Sequence, residues 1–162
     1  MSGMADLATI EAIKRVKYRY LRALDTKHWE DFADTLTEDI VGDYGSSLGR
    51  EHRFTNRHDL VEFMRGAMPA GVITEHRVGH PEITVDDADE AEGIAEGIWY
   101  LQDRVIVAEH NFMLFGAAFY RDRYRRTEDG WKICATSYQR TYEATQSLEG
   151  TGFTLTPGPA LA

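Results

Sequence analysis

GIWYLQDRVIV, residues 97–107, has the β-branched and aromatic composition that is typical of a β-strand. Alternate side chains of a strand share one face. One face of this segment carries Trp99, Leu101, Val105 and Val107. The same alternation puts Asp103 on that face, where an ionised carboxylate without partners is costly. Asp103 is therefore either structurally paired or held there for chemistry.

Three further segments after residue 77 have strand composition. They are VGHPEITVD at 78–86, FMLFGAAFYRDRYRR at 112–126 and GWKICATSYQRTYEA at 130–144. Acidic or glycine-containing turns separate the segments, with TEDG at 127–130 before the last one. Together with residues 97–107, they predict a strongly bent antiparallel sheet.

The first part of the chain has helical periodicity instead. Residues 7–25 place apolar side chains at intervals of three and four, which predicts an amphipathic helix, and HWEDFADTL at 28–36 continues it after a short break. TNRHDLVEFMRGAMP at 55–69 predicts a second clear helix, which Asn56 caps and Pro69 stops. Helices followed by an antiparallel sheet predict the α+β class, with the helices packed on one face of the sheet.

Length and composition limit the function classes. The 162 residues, 43% of them hydrophobic, predict a single domain over residues 1–162. The formal net charge of −9 argues against nucleic acid and anionic membranes as partners, and we interpret the basic run RDRYRR at 121–126 as a solvated rim. We expect a cytoplasmic location, because no signal peptide or long apolar run is evident. The single cysteine, Cys134, predicts a small buried strand residue and not a nucleophile.

Other polar residues also fall on apolar faces. Tyr20 lies on the stripe of the first helix, Asp25 ends that helix, and His76 opens the first long strand. Alternation along the last strand groups Cys134, Thr136, Tyr138, Arg140 and Tyr142. Because buried titratable clusters are enriched at functional sites, convergence of Tyr20, Asp25, His76, Asp103 and Arg140 would indicate an active site.

Each of these residues also has a structural interpretation. Asp25 can end its helix in solvent, and His76 can be a hydrogen-bonded histidine at a strand edge. Tyr20 can be a core residue, and Asp103 with Arg140 can be a structural ion pair. If they converge, however, an acid bonded to a histidine leaves the other ring nitrogen as a general base, while a tyrosine or a protonated acid donates to a developing oxyanion or to departing water.

We expect no cofactor and no metal. The phosphate-binding patterns GxGxxG and GK[ST] do not occur. His76 and His80 have the spacing of metal ligands on a helix, but in a strand their rings would lie about 13 Å apart.

The order of YLRALD, TEHRVGHPEIT, WYLQDR, GAAFYRDRYRR, DGWKI and SYQRTYE resembles the SnoaL-like branch of the nuclear-transport-factor-2-like superfamily, over about residues 8–144. Within that branch the sequence resembles the bile acid 7α-dehydratases, and scytalone dehydratase, hexachlorocyclohexane dehydrochlorinase, ketosteroid isomerase and polyketide cyclases belong to the same superfamily. The resemblance implies a cone-shaped barrel with helices on the concave side of the sheet. The tail after Gly150 does not match, and the glycines and prolines of residues 145–162 predict a flexible tail or flap.

The resemblance also assigns the site. It implies an active-site tyrosine at Tyr20, an aspartate–histidine dyad at Asp25 and His76, a strand aspartate at Asp103 and an arginine at Arg140. The stretch VAEHNFMLFGAAF, which would border the pocket, is more apolar than in bile acid dehydratases, so the substrate is open.

From these residues we expect a cofactor-independent dehydratase acting on a hydrophobic polycyclic substrate that is steroid-like, bile-acid-like or polyketide-like, either free or as a CoA thioester. Arg140 would hold a carboxylate or pair with Asp103. An isomerase or cyclase would use the same base without a leaving group, and a non-catalytic binding module is a third alternative. Relatives in the family imply a homo-oligomer, a trimer before a dimer.

Overall fold

The computed structural model of the protein describes residues 7–47, 50–86 and 93–158. Within them the chain forms three α-helices, one short 3₁₀ turn and six strands. The acidic turn predicted between residues 78–86 and 97–107 falls largely on residues 87–92. The last part of the predicted tail is residues 159–162. Both lie outside the described residues.

The predicted helices are confirmed with small changes at their ends. The bounds are α1 Leu7–Thr26, α2 Trp29–Asp34 and α3 Arg57–Ala67, and the 3₁₀ turn is Ala108–His110. Asn56 caps α3, because its side chain accepts a hydrogen bond from the Asp59 amide at 2.8 Å. No described helix has the length and apolar character needed to cross a bilayer.

The strands form one curled sheet that does not close. Their bounds are β1 Leu36–Ser47, β2 Arg50–Phe54, β3 Val72–Asp86, β4 Ile94–Val107, β5 Phe112–Thr127 and β6 Gly130–Ser147. The order across the sheet is β2-β1-β6-β5-β4-β3, so β2 and β3 are its edges. The α+β class, the bent sheet and the helices on its concave side are as expected, but the pair β1–β6 is parallel.

The strands β1 and β2 were not predicted from the sequence. The segment HWEDFADTL was predicted to be helical as far as Leu36, whereas α2 ends at Asp34 and Leu36 already begins β1. The hydroxyl of Thr35 donates to the Phe32 carbonyl at 2.7 Å, which closes the last turn of α2. The Ile133 amide then bonds to the Thr35 carbonyl at 2.9 Å, so the chain leaves the helix directly into pairing with β6.

Two local predictions in the strands need correction. His76 does not open its strand but lies inside β3, which starts at Val72. In β6 an extra residue separates Arg140, the partner of Ala118, from Tyr142, the partner of Ala117. This bulge reverses the alternation, so Tyr142 leaves the face that Arg140 occupies and is 51% exposed.

Candidate active site

A cavity of about 800 Å³ lies between the helices and the inner face of the sheet. Its wall is mainly apolar, with Leu24, Phe63, Met64, Met68, Leu101, Val105, Phe112 and Leu114 among its residues. Four of the five predicted site residues also line it: Tyr20, His76, Asp103 and Arg140. The fifth, Asp25, contacts His76 from behind the wall. An apolar cavity with a few convergent polar groups is the usual form of a small-molecule site.

Asp25 and His76 form a hydrogen-bonded pair between the end of α1 and the edge strand β3. Asp25 Oδ1 lies 2.7 Å from His76 Nδ1, and the His76 amide donates to Asp25 Oδ2 at 2.9 Å. Thr74 Oγ1 donates a third bond to Asp25 Oδ1 at 2.8 Å. An ionised carboxylate only accepts hydrogen bonds, so Nδ1 of the neutral ring must carry the proton. The second ring nitrogen, Nε2, is then an acceptor in the cavity wall.

The two structural interpretations of this pair are each partly right. Asp25 does end its helix, yet its side chain is only 23% exposed and is held by three donors. His76 is a hydrogen-bonded histidine on an edge strand, but its side chain is 8% exposed and lines the cavity. The pair therefore has the geometry of an oriented base.

Asp103 and Arg140 are paired through both carboxylate oxygens. Arg140 Nη1 and Nη2 donate to Asp103 Oδ1 and Oδ2 at 2.5 and 2.7 Å. Burial lowers the pKa of Arg140, but the bond to Asp103 and its charge outweigh this and leave the pKa above its usual value. Glu143 Oε2 lies 3.3 Å from Arg140 Nε. Of the two expectations for Arg140, the structure shows the pairing with Asp103.

Four tyrosines form one side of the cavity, and two of them, Tyr44 and Tyr120, were not predicted from the sequence. The hydroxyl oxygens of Tyr20 and Tyr44 lie 2.7 Å apart, and Tyr120 and Tyr138 pack edge to face next to them. Burial raises the pKa of all four phenols, so they stay protonated hydrogen-bond donors at neutral pH. Tyr44 was missed because β1 was missed. Tyr120 could have been found by alternation within β5.

A buried ion pair beneath these tyrosines was also missed. Lys17 Nζ of α1 lies 2.7 Å from Asp122 Oδ2 of β5, and both side chains are fully buried. Asp122 accepts two further bonds, from the hydroxyls of Tyr124 and Thr136 at 2.9 and 2.7 Å. RDRYRR is therefore not simply a solvated rim, because alternation turns its aspartate into the core.

The described residues show neither a reactive cysteine nor a metal site outside this cavity. Cys134 is buried as expected, and burial raises the pKa of its thiol. Within residues 7–47, 50–86 and 93–158, no three histidine, cysteine, aspartate or glutamate side chains converge as metal ligands. The absence of a cofactor stays a prediction.

A family model described as a SnoaL-like domain matches residues 5–137 of the chain. Among solved structures, a protein provisionally named an aromatic ring hydroxylase, from Novosphingobium aromaticivorans, superimposes with a TM-score of 0.75 at 19% identity, over 88% of this chain and 96% of that one. A provisionally named scytalone dehydratase from the same species gives 0.65 at 18%, over 85% and 87%. A hexachlorocyclohexane dehydrochlorinase from Novosphingobium barchaimii gives 0.67 at 17%, over 94% and 97%. At these identities the likeness establishes the fold.

Proposed function

The chain belongs to the SnoaL-like domain family, and from that premise we propose that it is a cofactor-independent dehydratase of a hydrophobic polycyclic substrate. One observation carries the proposal: His76, oriented by Asp25 at 2.7 Å, lines a largely apolar cavity of about 800 Å³. Dehydratase and dehydrochlorinase names among the structural neighbours agree with an elimination reaction.

The proposed reaction starts at His76. Its Nε2 takes a proton from a carbon next to a carbonyl, and Asp25 stabilises the imidazolium that forms. The bond between the neighbouring carbon and its hydroxyl oxygen then breaks, and the Tyr20–Tyr44 hydroxyl pair donates a hydrogen bond to the departing oxygen. The proton held by His76 ends on that oxygen, so water leaves and the histidine returns to its neutral form.

The Asp103–Arg140 pair has a supporting role in this scheme. Because both oxygens of Asp103 accept from Arg140, Asp103 is an ionised acceptor and not a proton donor. Arg140 in turn is occupied by Asp103 and is close to Glu143. We therefore expect an uncharged end of the substrate in this part of the cavity.

The size and wall of the cavity support a polycyclic substrate. Small-molecule sites commonly measure about 300–1,000 Å³, and this cavity lies in the upper part of that range. Two methionines, Met64 and Met68, supply an adaptable wall. A steroid-like or polyketide-like skeleton fits this description, either free or as a CoA thioester whose carrier extends into solvent.

The test is a screen of hydroxylated 3-oxo steroids and their thioesters by ultraviolet absorbance, because elimination creates a new conjugated double bond. On a substrate found in this way, His76→Ala should lower kcat by about 100-fold or more. The matched control is His58→Ala, an exposed histidine of α3, which should leave kcat unchanged. Full turnover by His76→Ala would contradict the proposal.

Product analysis separates the alternatives. A rearranged product of unchanged mass would indicate an isomerase or cyclase that uses the same base. Binding without any turnover would indicate a non-catalytic module. The expected homo-oligomer and the cytoplasmic location stay predictions, and light scattering of the purified protein would measure the oligomer.

A further inference from the structure

Tyr120 differs from Tyr20 and Tyr44 in having no hydrogen-bond partner in the described part of the chain. Tyr20 and Tyr44 bond to each other. The Tyr120 side chain is 3% exposed and lines the cavity, and its hydroxyl is not among the fully enclosed polar atoms that lack a partner. The hydroxyl therefore opens onto the cavity, where it can donate a hydrogen bond to a ligand.

The position of Tyr120 is fixed from beneath by the buried ion pair. Lys17 Nζ lies 3.3 Å from the centroid of the Tyr120 ring and 4.8 Å from that of Tyr20. Its ammonium is within ion-pair distance of Asp122, but it makes no hydrogen bond of good geometry there. The positive end of the ion pair therefore rests on the face of the phenol ring, where a cation is attracted to the ring electrons.

The ion pair fixes the orientation of the ring. The ring cannot turn away easily, because Lys17 covers one face and Tyr138 packs against it with centroids 5.9 Å apart. Asp122 lies 2.7 Å from the ammonium and balances its charge, so the effect of the pair on Tyr120 is one of position. The result is a fixed hydroxyl donor on the cavity wall, without a partner among the described residues.

We infer that Tyr120 is the residue that donates a hydrogen bond to the carbonyl oxygen of the substrate, and that Lys17 with Asp122 is its positioning pair. This inference rests on the proposed function. An elimination next to a carbonyl needs a hydrogen-bond donor at the carbonyl oxygen as well as one at the departing hydroxyl oxygen, and Tyr120 is the donor at the carbonyl. When His76 removes the proton, negative charge moves to the carbonyl oxygen. Tyr120 stabilises that charge and keeps its own proton throughout.

The first experiment measures oxyanion binding without needing the substrate. 4-Nitrophenol is added to the purified protein, and its absorbance gives the ionised fraction of the bound probe. We expect the wild type to bind the phenolate, and Tyr120→Phe to weaken that binding by about tenfold or more. The control Tyr100→Phe removes a hydroxyl from the side of β4 that packs against His80 and Phe119, and should change nothing.

The second experiment tests the role of Lys17. Lys17→Met combined with Asp122→Asn removes both charges, so no buried charge is left unpaired. We expect the double variant to weaken phenolate binding in the wild-type background and to have no further effect when Tyr120→Phe is present. An independent loss in both backgrounds would show a merely structural role for the pair.

The outcomes separate this inference from the proposed function. Equal phenolate binding by wild type and Tyr120→Phe, or no binding by the wild type, overturns the assignment of Tyr120. On a substrate found by the steroid screen, Tyr120→Phe should lower kcat by about 100-fold. If His76→Ala abolishes turnover and Tyr120→Phe does not, the elimination proposal stands and the assignment of Tyr120 fails.

Discussion

At the scale of single residues, Asp25 determines which nitrogen of His76 is free. The backbone amide of His76 and the hydroxyl of Thr74 fix both carboxylate oxygens, so the carboxylate can hardly rotate. Asp25 therefore holds the imidazole of His76, and Asp25 is itself held by the Thr74 hydroxyl and the His76 amide. Such support favours a single orientation of the ring, which the proposed role of His76 as a base requires.

Replacing Asp25 by asparagine tests this directly. The asparagine amide can donate to Nδ1 as well as accept from it, so the ring loses its single tautomer. In the neutral wild type, nitrogen NMR should place the proton on Nδ1 of His76, whereas Asp25→Asn should give a mixture and lower kcat by about 100-fold or more. Asp31→Asn, at an exposed carboxylate, is the control. Identical His76 spectra for wild type and Asp25→Asn would refute this role.

The sequence alone predicted several residues of the candidate site. Tyr20, Asp25, His76, Asp103 and Arg140 were named from face alternation together with a family resemblance. The structure places four of them in the wall of one cavity and the fifth, Asp25, in contact with His76 behind that wall. Their catalytic roles stay predictions. Alternation failed at Tyr142, because a bulge is an extra residue in one strand and leaves no reliable mark in composition.

At the scale of elements, Asp103 of β4 and Arg140 of β6 pair across β5, the strand between them. Gly116 of β5 lies opposite Asp103, and a Cβ at this position would come 2.5 Å from the Tyr142 carbonyl and 3.1 Å from Arg140 Nη1. The backbones therefore approach closely only because no side chain intervenes. This glycine is a packing requirement of the bulged strand pair.

Gly116→Ala should consequently lower the free energy of unfolding by about 1–3 kcal/mol, the usual cost of overpacking. It should also reduce activity, because Arg140 must move. Gly66→Ala in α3 is a matched control with open space around it, and should stabilise the protein by up to about 1 kcal/mol. Urea unfolding of both variants measures the difference. A Gly116→Ala protein as stable as the wild type would show that the strands can separate freely.

Elements differed in how well the sequence predicted them. The helices α1 and α3 and the strands β4, β5 and β6 have long periodic or β-rich segments, and they were found. β1 contains LTEDIVGDYGSS, in which acidic and glycine residues lower strand propensity. β1 is a strand because β6 pairs with it from far along the chain, and such a long-range contact cannot be read from local composition.

At the scale of the whole molecule, four buried phenols and one partly buried phenol make stability depend on alkaline pH. Burial raises the pKa of Tyr20, Tyr44, Tyr120, Tyr124 and Tyr138. In the unfolded chain these groups ionise near pH 10, so above that pH the folded state binds more protons than the unfolded state. Their contribution is complete below about pH 10 and is lost as the pH rises further.

The free energy of unfolding should therefore fall above about pH 10, by up to about 1.4 kcal/mol per pH unit for each phenol. Burial lowers the pKa of Lys17 and Lys27, which acts in the opposite direction, but two lysines do not offset five tyrosines. Urea titrations across this pH range, with tyrosinate absorbance as a second probe, give the slope. Tyr124→Phe should reduce the slope of the free energy of unfolding against pH. Tyr142→Phe, which alters an exposed ring, should leave this slope unchanged. A flat or rising curve would contradict the burial of these phenols.

The two halves of the cavity come from different segments of the chain. The aspartate and the histidine are supplied by the contact of α1 with an edge strand, while part of the apolar wall, including Phe63 and Met64, is supplied by α3. Exchanging one of these wall residues therefore leaves the contact between Asp25 and His76 in place. Under the proposed function, substitutions at a few positions of this one short helix would change which substrate is accepted while the type of reaction is kept.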